Sequence, residues 1–257
     1  MNMRLFNTDG YNRRLFHYPA FTLIELLVVI SIIALLLAIL MPALGKSRRV
    51  ANAIVCSNKM RQIGTAVLIY AQENDEFLPR SSHSAAVYRM LRWGQAIMPY
   101  LGRGNYKAAT TDFNDLLNGM YRCPVDIRRN AAWSYGKNVW FELSSSETGL
   151  ILGATSGPTY WKIIQVRQPA RVAEFGEMAG ANMAGAGAAD HIMAHFWLMG
   201  GTPEIDFNRH GNDTSNFIFL DGHVERLVFN QTFDPNKNID NWNPGYYDWN
   251  SKKGDKK

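Results

Sequence analysis

Between Phe21 and Leu44 the chain runs FTLIELLVVISIIALLLAILMPAL, with no lysine, arginine or aspartate and a single acid, Glu25. At about 1.5 Å per residue a helix of this length covers roughly 36 Å, enough for the ~30 Å hydrocarbon core of a bilayer. A helix buried in a water-soluble domain is seldom apolar on every face for so long. The run therefore predicts a membrane segment. By length and flanks it also fits a cleaved secretory signal with a small-residue site near Ala43 and Gly45, a plain signal anchor, or a stop-transfer helix. Charge does not orient it. Arg4, Arg13 and Arg14 precede it, but Lys46, Arg48 and Arg49 follow closely, with Lys59 and Arg61 beyond. Glu25 is out of place, because a carboxylate inside a bilayer is costly unless it is paired, protonated or close to the interface. It either snorkels or has a partner cation in the membrane.

The rest of the chain is of another kind. Over all 257 residues, 47% are hydrophobic and 19% charged, which predicts a folded domain attached to the apolar segment. Mean hydropathy is −0.20, which excludes a polytopic membrane protein. The net charge of +5 sits at the ends: four lysines against one aspartate from Ser251 to Lys257, and three arginines against Asp9 in the first twenty residues. That distribution implies no basic groove and no nucleic-acid partner. Two cysteines exclude both a disulfide-dense scaffold and a four-cysteine zinc module.

A helical pattern continues past Gly45. Val50, Ile54, Ile63, Val67 and Tyr70 fall near one face at spacings of three and four, interrupted at Asn58 and Lys59. Polar residues from Asn74 to Glu76, then Pro79, end it. A helix from Phe21 to about Gln72 is roughly 80 Å long. In the head, 84–101 and 111–120 read as helices, and 132–143, 161–166 and 171–178 as strands. Residues 178–190 are rich in Gly and Ala and read as a loop. The clearest local signal is Asn216–Leu220, then Asp221-Gly222, then His223–Phe229: two β-rich runs flanking a turn dipeptide. No internal repeat is present.

Ala20-Phe21-Thr22-Leu23-Ile24-Glu25, with a basic leader before it and an apolar helix after it, resembles the class III signal of type IV pilins and type II secretion pseudopilins. The resemblance implies cutting between Ala20 and Phe21 by a membrane-bound prepilin peptidase, followed by methylation of the new amine. It implies that Glu25 pairs with the N-terminal amine of a neighbouring subunit, and that Pro42 bends the helix. The family's usual residue before the cut is Gly, where this chain has Ala20. CSNKMRQIGTAVLIYAQENDEFLP, from Cys56 to Pro79, resembles a narrower bacterial group of prepilin-type proteins. That group also carries a C-P-x-D turn, here Cys123-Pro124-Val125-Asp126, and a late H-x9-D-G motif. In this chain ten residues separate His210 from Asp221-Gly222, one more than usual.

The expected fold is α+β and pilin-like: a long N-terminal helix packed on an antiparallel sheet, with extra helices in the head. The expected organisation is a leader at 1–20, a helix at 21–75 with its membrane part at 21–44, a head at 76–250 outside the cytoplasm, and a basic tail at 251–257. The resemblance implies a structural subunit in the bacterial inner membrane, not an enzyme. Its partners would be other pilin-like subunits and the assembly machinery.

Two other readings compete: an anchored module binding polysaccharide or a surface partner, and an anchored hydrolase using the His210/Asp221 region. His210, Asp213, Asp221 and His223 are of metal-ligating or His/Asp type, but turn geometry already accounts for Asp221-Gly222. No nucleophile elbow, P-loop or dinucleotide fingerprint is present. Cys56 and Cys123 are either two buried thiols or a disulfide. The disulfide would close a loop of more than sixty residues, worth about 4 kcal/mol in the chain-entropy model. No cofactor is implied, although Asp234, Asp240 and Asp248 are hard oxygen ligands of the kind calcium takes. Trp242, Tyr246, Tyr247 and Trp249 read as core and edge packing, or else as a sugar platform or a subunit contact.

Overall fold

A helix that opens inside the apolar run and ends in the polar run before Pro79 dominates the computed structural model, which describes residues 21–102, 115–126, 128, 133–179 and 189–246. This helix, α1, spans Leu23–Glu73 and runs through Pro42 without a break. The chain divides at Lys46/Ser47 into two units. In the first unit the large apolar side chains of α1 are all exposed: Leu23 at 88%, Ile39 at 71%, Leu44 at 65%. Among the described residues α1 is the helix long and apolar enough to cross a membrane.

In the second unit α1 buries Ala53, Cys56, Met60, Ile63, Val67 and Tyr70. Their spacing of three and four residues is the apolar stripe of a helix lying on a core. The stripe differs from the expected one at its start. Val50 and Ile54 are exposed, and Ala53, Cys56 and Met60 carry the face instead. Small and sulfur-bearing residues hide the stripe from a search for branched aliphatics.

A five-stranded sheet has the order β3-β1-β2-β4-β5, built from β1 (Tyr135–Asn138), β2 (Ala173–Glu177), β3 (His191–Ile192), β4 (Thr214–Phe219) and β5 (Val224–Val228). Four strands pair antiparallel, as expected, but β3 joins β1 in parallel, so the sheet is mixed. The chain between β1 and β3, which includes β2, is long enough for the connection that a parallel pair requires. A small hairpin, β6 (Phe233–Asp234) with β7 (Ile239–Asp240), follows.

Strand β4 shows why both faces are covered. Ile218, with Leu220 just after the strand, packs into the cluster that holds Cys56, Met60, Ile63 and Val67 of α1. Phe217 and Phe219 belong to a second cluster with Trp197, Ile205 and Trp242. Alternation along a strand sends neighbours to opposite faces. Trp242 is fully buried against Trp197 and Phe217, a core residue of the kind expected.

Some helix and strand expectations fail. Residues 84–101 form turns, then the short α2 (Trp93–Ala96) and a 3-10 turn at Met98–Leu101. Arg89 takes a left-handed φ of 54° that no continuous helix allows. Residues 161–166 make a single bridge, Phe77 to Lys162, and a 3-10 turn at Ile163–Gln165 in place of a strand. The strand within 132–143 ends at Asn138, whose side chain accepts from Trp140 N and starts a 3-10 turn. A further helix, α3 (Ser145–Ile151), is opened by a Ser144/Glu147 capping box. The leader and Ala20, 111–114, most of the 178–190 loop, Tyr247, Asp248, Trp249 and the basic tail lie outside the described residues.

Two features fasten the head. The β4–β5 connection is a three-residue loop, Leu220-Asp221-Gly222, with Gly222 at φ 85°. That is the turn-plus-bulge geometry in which glycine takes the left-handed position. Gly64 of α1 presses on it, and a Cβ there would lie 3.0 Å from Ile218 Cγ2 and 3.2 Å from Gly222 O. Elsewhere the turn after Cys123 is locked by Asp126. Its carboxylate accepts from Arg128 Nη2 (2.6 Å), Arg128 Nε (3.0 Å) and Ser134 Oγ (2.6 Å), and Arg209 Nη1 lies 3.3 Å away. Burial alone would raise the Asp126 pKa, but the Arg128 hydrogen bonds and the Arg209 charge hold it well below the usual carboxylate range.

Gly64→Val is expected to destabilise the head by about 1–3 kcal/mol through overpacking, read as a lower midpoint in thermal unfolding of the full chain in detergent. Asp126→Ala, which removes the carboxylate beside buried Arg128 and one of the two beside Arg209, is expected to cost about 3–5 kcal/mol. The depressed Asp126 pKa adds stability that is fully present above the unfolded value of about 3.9 and is lost as pH falls through the native value. Wild-type stability should therefore drop as pH falls below about 4. Asp126→Asn should be less stable at neutral pH and flatter over that acid range. A parallel pair of curves would contradict this assignment.

Candidate functional site

The first turn of α1 is organised by two side chains. Thr22 Oγ1 accepts from Glu25 N at 3.3 Å. Glu25 Oε2 in return accepts from Thr22 N at 2.9 Å and from Thr22 Oγ1 at 2.8 Å. This reciprocal capping box satisfies backbone donors that a helix start leaves unpaired. It also sets a carboxylate at the positive end of the helix dipole. Glu25 Oε1 takes no hydrogen bond from a described residue. Phe21 is 70% exposed at the head of this turn.

A second constellation lies in the head. Cys56 on α1, Cys123 before its proline turn, Glu177 at the end of β2 and His210 before β4 are all buried, and their potential ligand atoms lie within 4.8 Å of one another. Cys56 Sγ donates to Glu177 Oε1 at 2.8 Å and lies 3.0 Å from Tyr135 Oη. His210 Nε2 is 2.8 Å from the same Glu177 oxygen and 3.7 Å from Cys123 Sγ. The other carboxylate oxygen, Glu177 Oε2, accepts from Asn216 N at 2.7 Å, which fixes the orientation of the group.

Each member is positioned by its local sequence. Cys123-Pro124-Val125-Asp126 closes a turn through Asp126 N to Cys123 O at 3.0 Å, with proline at the position whose φ it presets. Glu177 is the last residue of a strand buried along its whole length. Both cysteines are free thiols, adjacent in space as a disulfide would require.

The electrostatics are asymmetric. Burial pushes the Cys56 thiol up, helped by its hydrogen bond with Cys123 and by the charge of Glu177. Cys123 moves down, first through its hydrogen bond with Cys56 and, against burial, through its bond with His210. Burial would lower His210, but its bonds to Cys123 and Glu177 outweigh that and raise it. The imidazole thus lies between Glu177 and the Cys123 thiol, with its charged form favoured.

Of the four residues of metal-ligating or His/Asp type near the hairpin, only His210 joins this cluster. Asp221 sits in the exposed turn and pairs with His223. His210 and Asp221 therefore do not bond to each other: one engages Glu177, the other His223. Asp213 lies in the loop before β4, its backbone N bonded to Asn208 Oδ1. Asp234 Oδ1 accepts from Asn236 N, and its carboxylate pairs with Lys237 at 3.0 Å. Asp240 Oδ1 accepts from Trp242 N and Asn243 N. These two carboxylates are engaged in local turns. Glu177 is the residue that sequence reasoning missed. The one available signal is an acid closing a short strand, AEFGE, whose other members are small or apolar apart from Glu174.

Residues 19–41 match the family described as Prokaryotic N-terminal methylation motif. No curated protein and no solved structure matches the chain. The match covers the start of α1 and leaves the head aside. In that segment the chain carries a prepilin-type motif on a helix able to span a membrane, the N-terminal architecture of a type IV pilin-like protein.

Proposed function

We propose that the chain is a structural subunit of a type IV pilus-like or type II secretion pseudopilus filament, and not an enzyme. A prepilin peptidase in the inner membrane cuts between Ala20 and Phe21 and methylates the amine of Phe21. The protein crosses that membrane once, with its head outside the cytoplasm. The assembly machinery then extracts it, and the apolar surface of residues 21–44 packs against neighbouring subunits, with Pro42 loosening the helix. Head-to-tail contacts of this kind do not close and so build an open filament. The head, with its Cys123-Pro124-Val125-Asp126 turn and late His210…Asp221-Gly222 motif, would place the chain in the narrower prepilin-type group.

The observation that carries this reading is the methylation motif at 19–41 coinciding with the start of α1, where Glu25 turns its carboxylate back toward Thr22 N. Cleavage before Phe21 would create an ammonium one residue from that N–H. In lipid a carboxylate and an ammonium are tolerable only together. An intersubunit pair of this kind sets the register between neighbouring helices.

Mass spectrometry of the N-terminal peptide from host membranes should find a peptide starting at Phe21 with one added methyl group. A peptide starting at Met1, or one cut beyond Ala43, would overturn the reading. Glu25→Ala should be cleaved normally yet yield at least about tenfold less sheared filament, since an unpaired buried ammonium costs about 3–5 kcal/mol. Filament at the wild-type level would remove Glu25 from assembly.

A further inference from the structure

We infer that Cys56, Cys123, Glu177 and His210 form a closed four-ligand site for a zinc-type divalent cation in the head. The inference concerns the head alone and stands apart from the filament reading. Two sulfurs, one imidazole nitrogen and one carboxylate oxygen converge from four separate segments, all buried and within 4.8 Å of one another. Zinc bonds of about 2.3 Å to sulfur and about 2.0–2.2 Å to nitrogen and oxygen place tetrahedral ligands about 3.2–3.8 Å apart. The shortest contact, 2.8 Å, and the 4.8 Å outer limit of the set bracket those separations, so shifts of about 1 Å suffice. The ligand set selects the metal. Thiolate and imidazole suit zinc, whereas calcium and magnesium take oxygen.

The surrounding groups are those of a prepared site. Asn216 N holds Glu177 Oε2, which leaves Oε1 turned to the cluster. Tyr135 Oη is placed to donate to the Cys56 sulfur, and the Val125 backbone bonds to Cys123. Such outer partners orient ligands and tune affinity. His210 Nδ1 has no partner, so Nε2, facing Glu177 and Cys123, is the coordinating nitrogen. The proton balance is simple. Binding takes Cys56 and Cys123 as thiolates and His210 with Nε2 deprotonated, and any protons these groups carry leave to solvent. Two thiolates, a carboxylate and a neutral imidazole then leave the occupied site with a single negative charge. The Arg209 guanidinium, already under the influence of Glu177 and Cys123, offsets it. With every ligand buried and no open position, the cation is structural. It ties α1 to the proline turn, to β2 and to the loop before β4. A disulfide would use the two sulfurs and leave Glu177 and His210 as a buried pair.

The test is a titration of the full chain in detergent, reduced and stripped by chelator, with Co²⁺ alone and then Zn²⁺. One Co²⁺ per chain is expected, with thiolate-to-cobalt charge transfer and the strong visible bands of a tetrahedral site, both removed by Zn²⁺. Cys123→Ser should lose most of the charge-transfer absorption. Tyr135→Phe keeps all four ligands and the core volume, and should bind about 10–100-fold more weakly. Absence of thiolate–cobalt absorption in the reduced wild type would overturn the site. So would unchanged affinity in Cys123→Ser, or protein from the host that lacks metal and whose intact mass is short by two hydrogens, the mark of a Cys56–Cys123 disulfide.

Discussion

Among the described residues, the large apolar side chains of α1 before Lys46 are all exposed. From Leu23 to Leu44 the large side chains stand 44% to 88% exposed. Each such side chain left in water forgoes about 1.5–3 kcal/mol of burial. A surface of that extent must find lipid or other apolar helices. It also frees the head from dependence on that half of the helix, because the buried stripe of α1 begins at Ala53. One helix thus changes solvent along its length, and Glu25 in its first turn is the single acid on the apolar side.

The head solves a different problem: covering both faces of a small sheet. Strand β4 is central to it, giving Ile218 to the α1 side and Phe217 and Phe219 to the Trp242 side. Several charged side chains in this interior face an opposite charge. Asp126 is held by two arginines and a serine. Lys137 on β1 and Glu174 on β2 face each other at 3.8 Å, both fully buried. Glu177 is shared by Cys56, His210 and Asn216. Buried charges without such partners are strongly destabilising, so these sets fix where the loops must lie.

The parts legible in the sequence are those governed by local rules. The apolar run, the extent of α1, the strand at Ala173–Glu177 and the hairpin around Asp221-Gly222 all follow from periodicity or turn chemistry. What stayed hidden depended on distant partners. The stripe through Ala53, Cys56 and Met60 is made of residues that periodicity scores weakly. β3 is two residues long and pairs in parallel, with no pattern of its own. Residues 161–166 look like a strand because they are aromatic and branched, yet they cover the end of α1 through Leu78 N to Trp161 O and Ile163 N to Glu76 O. The four-residue cluster has no sequence spacing at all, since its members are brought together by the sheet.

Ten residues separate His210 from Asp221-Gly222, and the first of them coil tightly. Gly211, Asn212 and Asp213 take φ values of 81°, 56° and 55°, three successive left-handed residues. Gly, Asn and Asp are the types that tolerate this conformation. The tight coil is closed by Thr214 N and Thr214 Oγ1 on Gly211 O and by Asp213 N on Asn208 Oδ1. It hands the chain to β4 in register while His210 stays buried against Glu177. An exposed loop with no demand on its first residue would have little reason to hold three such residues in a row. The coil is the means by which the imidazole is held in the interior.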